Sequence, residues 1–61
     1  MEMNGKELLK LLKQNGWKET RVEGSHHIMK KGQRELCVPV HGKKSLKPGL
    51  LNYLLKEAGL K

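Results

Sequence analysis

The sequence predicts an α+β domain of order α-β-β-β-α, with two helices packed on one face of a three-stranded antiparallel sheet. Three observations predict it. Leucines recur at helical spacing near each end, as Leu8, Leu9, Leu11 and Leu12 and again as Leu50, Leu51, Leu54 and Leu55. The segment between them changes to strand-like patterning broken by glycine-bearing turns. With 61 residues the chain is one domain, residues 1–61. A chain of that size buries only about 60% of the surface its unfolded form exposes, so it holds one thin core.

The first helix is expected from Asn4 to Asn15. Asn4 suits the N-cap, and Glu7 three residues later completes a capping-box pattern. Gly16 ends the helix because it tolerates a left-handed backbone. Trp17, Thr20 and Val22 fall in a first strand, and Gly24-Ser25 makes a tight turn. His26 to Lys30 forms a second strand, followed by a turn at Lys31-Gly32-Gln33. In the third strand, Arg34 to Val40, the residues Leu36, Val38 and Val40 alternate with Cys37 and Pro39, the period of a half-buried strand. Pro39 donates no N–H, which marks an edge or a strand end. A basic loop, His41-Gly42-Lys43-Lys44, leads through Lys47 to a second helix. Pro48 fits its first turn, where a missing N–H costs nothing, and Gly59 stops it. Double-stranded-RNA-binding domains (dsRBDs) share this element order, a likeness of fold that does not by itself give function.

Thirteen lysines and arginines face 6 acids, a formal net charge of +7. Such a field draws polyanions, of which nucleic acid is the commonest in a cell. A membrane surface would demand a cationic helix with bulky apolar anchors, which neither helix offers. The single cysteine, Cys37, rules out an intramolecular disulfide. No stretch has the length and apolarity of a membrane span or signal peptide, so a cytoplasmic setting is expected. A shallow surface site suits a long substrate better than a small metabolite.

Chemistry concentrates in Gly24-Ser25-His26-His27. Adjacent strand residues point to opposite faces, so the two imidazoles diverge and one of them is the better candidate. If Met29 faces the core, His26 and Lys30 face solvent together, at an expected separation of roughly 6.5–7 Å. No metal is expected. His26, His27, Cys37 and His41 match no zinc spacing, and Glu19, Glu23 and Glu35 form no carboxylate cluster. Ser25 has no acid-supported histidine beside it, and the glycines form no phosphate-cradling loop. Metal-free RNA cleavage remains, because RNA brings its own 2′-hydroxyl nucleophile. The protein then supplies an imidazole for proton transfer and cations for the phosphate. With Met29 inward, His26 with Lys30, joined by His41 and Lys43, could supply this set. Lys43, Lys44 and Lys47 lead to a helix start whose N–H groups could also meet a phosphate. The residues alone leave the choice between His26 and His27 open. Lys6, Lys10, Lys13 and Lys56 read as solvated helix faces. Trp17 and Tyr53 are too few aromatics for a base-stacking platform.

Several pieces, in order along nearly the whole chain, resemble the HicA (YcfA-like) toxins of bacterial HicAB toxin–antitoxin systems. They are Leu12-Lys13-Gln14-Asn15-Gly16-Trp17, Gly24-Ser25-His26-His27-Ile28-Met29-Lys30, Val38-Pro39-Val40-His41-Gly42, Leu46-Lys47-Pro48-Gly49 and Leu54 to Leu60. The resemblance implies a dsRBD-like fold, ribosome-independent mRNA cleavage without a cofactor, and a HicB antitoxin that covers the active face. The family's functional histidine follows Gly-Ser, which is His26 here, with His27 in reserve because some members carry the histidine one position later. Gly24 corresponds to the motif glycine, whose role would be a turn that presents the histidine. The Lys31-Gly32-Gln33 turn is shorter than in many members. The competing readings are a non-catalytic double-stranded-RNA-binding module and a basic domain that binds only an acidic protein.

Overall fold

The structure is a computed structural model that describes residues 2–61. Its elements are α1 (Gly5–Gln14), β1 (Lys18–Glu23), β2 (His26–Lys31), β3 (Arg34–Pro39) and α2 (Pro48–Glu57). The three strands form one antiparallel sheet in the order β1-β2-β3, so β2 is central and paired on both sides. The order is the expected α-β-β-β-α. Three strand boundaries move by one residue: β1 starts at Lys18 and leaves Trp17 ahead of it, β2 keeps Lys31, and β3 stops at Pro39 rather than Val40.

Helix α1 forms where its cap predicts. The Asn4 side chain accepts from the Glu7 backbone N–H at 2.8 Å, and the Glu7 carboxylate accepts from the Asn4 N–H at 2.9 Å. Two donors that the helix leaves without partners are thereby satisfied reciprocally. At the far end Gly16 adopts φ +90°, and Lys31 Nζ donates to the Asn15 carbonyl at 2.9 Å. That contact ties β2 to the negative end of the helix dipole. The core lies between sheet and helices. Leu8, Leu9 and Leu12 of α1 meet Trp17, Met29, Leu36 and Val38 below them and Leu51, Leu54, Leu55 and Ala58 of α2 beside them.

Both hairpins turn in two residues, Gly24-Ser25 and Gly32-Gln33. Each glycine has φ near +60° and neither following residue has positive φ, the pattern of a turn whose first central residue must be glycine. Strand β1 carries a bulge. Glu19 pairs with Met29 but Arg21 pairs with Ile28, so Thr20 is the extra residue. Its hydroxyl donates to the Ile28 carbonyl at 3.3 Å. The bulge changes which face each later β1 side chain takes.

Gly5 begins α1 hard against the end of β3. A Cβ there would stand 2.5 Å from the Pro39 carbonyl oxygen and 2.8 Å from a Val40 methyl. The chain before α2 is held to the N-terminal segment by the Leu46 N–H, which donates to the Met3 carbonyl at 2.8 Å, and by the Asn4–Ser45 bridge.

Candidate active site

Met29 is wholly buried against the helices, which fixes the phase of β2. His27 and Lys31 share its side of the sheet. His26, Ile28 and Lys30 lie on the open face. The two neighbouring histidines therefore diverge, as the alternation requires. The spacing of His26 and Lys30 differs from expectation. They are four residues apart, about 13 Å along the strand, and Ile28, 7% exposed, stands between them. Lys30 faces Glu35 of β3 and Lys18 of β1, far from His26.

At the His26 end of the sheet the neighbouring chain is the end of β3 and the loop after it. His26 is directly opposite Pro39 in the ladder. One residue earlier, the Ser25 carbonyl accepts from the Val40 N–H at 2.8 Å, which carries the pairing past the end of β3. His41 therefore emerges beside the Gly24-Ser25 turn. Pro39 and His41 then line one wall of a groove of about 340 Å³, with Lys44, Lys47 and Ser45 around it and Leu46 and Leu50 as apolar lining. The loop is shaped by the Lys44 N–H, which donates to the His41 carbonyl at 3.0 Å. Lys43 occupies the exposed turn beyond the groove and does not line it. His26 itself does not line the groove; it stands at the same end of the sheet, opposite the groove residue Pro39. Glu23, opposite His26 across the turn, is engaged by Arg21, an interaction that raises the guanidinium pKa further. No described residue hydrogen-bonds the His26 ring.

The other histidine does have a carboxylate partner. His27 Nδ1 lies 2.6 Å from Glu19 Oε1, on the helix side, with 22% and 29% of the two side chains exposed. The hydrogen bond with His27 holds the Glu19 carboxyl below its ordinary range against opposing desolvation, and the charge of Lys13 adds to the lowering. Composition gave no sign of this pair. In a regular two-residue hairpin Glu19 would face Lys30 on the open side; the bulge at Thr20 moves it opposite Met29, diagonal to His27. A carboxyl with a folded pKa below its unfolded one adds stability above the unfolded value and loses it as pH falls through the folded value. Wild type is thus expected to lose more urea resistance than Glu19→Gln from about pH 5 downward. Equal losses in the two titrations would show that the pair contributes nothing.

Among the described residues no group of three or more histidine, cysteine or acidic side chains could hold a metal ion. Cys37 is exposed on the open face, and no helix is long and apolar enough to cross a membrane.

The fold and this charged sheet end define a small basic α+β domain with a surface site suited to a polyanion. A family model described as the HicA toxin of bacterial toxin–antitoxin systems matches residues 5–60, almost the whole chain. The chain belongs to the HicA toxin family, and with it to the toxins of bacterial toxin–antitoxin systems, which implies an antitoxin partner. A comparison with curated proteins finds no match.

Proposed function

We propose that the protein is a metal-independent endoribonuclease that cleaves mRNA, with His26 as its catalytic residue and a HicB-like antitoxin covering the site in the cytoplasm. One observation carries this reading. The His26–Pro39 register and the Ser25–Val40 hydrogen bond bring His26 to the end of the sheet where His41, Lys44 and Lys47 line a groove.

The His26 imidazole transfers a proton at the 2′-hydroxyl or at the leaving 5′-oxygen. Lys44 and Lys47 stabilise the charge that grows on the phosphate oxygens. His41 and the exposed Lys43 extend the basic contact along the RNA, and Lys30 meets the backbone further off. Gly24, at φ +61°, makes the turn that presents the histidine, and Ser25 anchors it to Val40. DNA, without the 2′-hydroxyl, is spared.

The test is incubation of the purified protein with RNA. Cleavage that persists in EDTA and leaves 2′,3′-cyclic phosphate ends is the expected result. Cleavage abolished by EDTA overturns the metal-independent mechanism. RNA that stays intact while binding remains salt-sensitive supports the non-catalytic RNA-binding module instead.

A further inference from the structure

The helix side of β2 carries a second arrangement that the reading above does not use. An ionised carboxylate only accepts hydrogen bonds, so the 2.6 Å contact requires the proton on His27 Nδ1. The other ring nitrogen, Nε2, is then the free atom; it donates to a phosphate oxygen when the ring carries both protons, and the ring cannot flip without breaking the bond to Glu19. Lys13, which acts on Glu19 from α1, also lines a shallow groove of about 510 Å³ along that helix, with Lys6, Lys10, Leu9 and Gln14. Three lysines on one helix read alone as a solvated face. With the doubly protonated His27 ring, whose partner Glu19 feels the charge of Lys13, they make a set of donors to phosphate oxygens on the helix side of the sheet.

We propose that His27, positioned by Glu19, and the lysine groove along α1 form a second contact for the RNA backbone, on the opposite side of the sheet from His26. The proposal rests on the reading that the substrate is RNA. Glu19 is a positioning residue: it touches no phosphate and acts through the His27 ring. An RNA strand that passes the Gly24-Ser25 turn meets His26 on one face and His27 on the other, so the paired histidines divide cleavage and grip between them.

The sign of one substitution separates this role from plain electrostatics. Glu19→Ala and Glu57→Ala each raise the formal net charge from +7 to +8, and a general field effect makes both bind a polyanion more tightly. Binding is measured by fluorescence anisotropy on a short 2′-O-methyl oligoribonucleotide, which has no 2′ nucleophile and stays intact whether or not the protein cleaves RNA. Glu57, exposed on α2, serves as the charge control. The proposal expects Glu19→Ala to weaken binding roughly tenfold, as does His27→Ala, the scale of one charge-assisted hydrogen bond. In a His27→Ala background, Glu19→Ala is expected to tighten binding slightly, because only its charge is left to remove. The ring nitrogens of His27 should give the Nδ1–H pattern in nitrogen-15 spectra of the wild type and lose it in Glu19→Ala. Tighter binding by Glu19→Ala in both backgrounds overturns the proposal, as does an unchanged ring spectrum. If the wild type binds in this pattern yet leaves ordinary RNA uncut, the cleavage reading fails and this one stands.

Discussion

His26→Ala is expected to lower the rate of RNA cleavage by about 10²–10⁴-fold, the usual worth of a positioned acid or base. That corresponds to roughly 3–5 kcal/mol of lost transition-state stabilisation. The loss should fall on kcat, since the groove lined by His41, Lys44 and Lys47 remains to hold RNA. Stability should barely change. His26 is exposed and makes no hydrogen bond through its ring to any described residue, and substitutions at such positions stay within about 0.5 kcal/mol. His27→Ala should act on KM instead, with kcat little altered. Single-turnover cleavage with saturating protein separates the two. Full activity in purified His26→Ala sinks the assignment, and a kcat loss confined to His27→Ala transfers it to the neighbour.

Gly5→Ala is expected to destabilise the domain by about 2 kcal/mol, although alanine is the better helix former. The new methyl carbon would lie 2.5 Å from a carbonyl oxygen of Pro39 and 2.9 Å from Val40 Cα. Both are backbone atoms, so no rotamer change relieves the contact. Overpacking of this kind costs about 1–3 kcal/mol, against a helix-propensity gain of at most about 1 kcal/mol. In a domain of this size each kcal/mol moves Tm by roughly 4–8 °C, so a fall of about 8–16 °C should appear in calorimetry. The displaced segment is the end of β3 that pairs with His26 and leads into the groove lined by His41, so activity should fall even well below the new Tm. An unchanged or raised Tm would show that α1 and the end of β3 can separate freely.

The helices and the two hairpins were legible because their signals are local. Asn4 and Glu7 cap α1 by contacts three residues apart, and Gly24 and Gly32 stand where each turn needs positive φ. The divergence of His26 and His27 was legible too, since it follows from strand alternation alone. The partners of each histidine were not. The Glu19–His27 pair depends on the bulge at Thr20, and Glu-Thr-Arg does not announce an extra residue. A strict ladder would have sent Glu19 to the open face. Val22, on the helix side opposite His27, is nonetheless 49% exposed. The role of Gly5 was hidden because the atoms that crowd it lie more than thirty residues along the chain. Lys30 looked close to His26 only while the strand rise between them was counted short.

β2 is laddered on both sides and joined to its neighbours by the shortest turns a hairpin allows. On the proposed reading, an imidazole mounted on such a strand is in working position as soon as the domain folds. On that reading the antitoxin restrains the toxin by covering the site. Such coverage is governed by mass action. The amount of free toxin is then set by the relative supply of the two proteins and by how slowly the antitoxin leaves, so faster turnover of the antitoxin alone is enough to release activity.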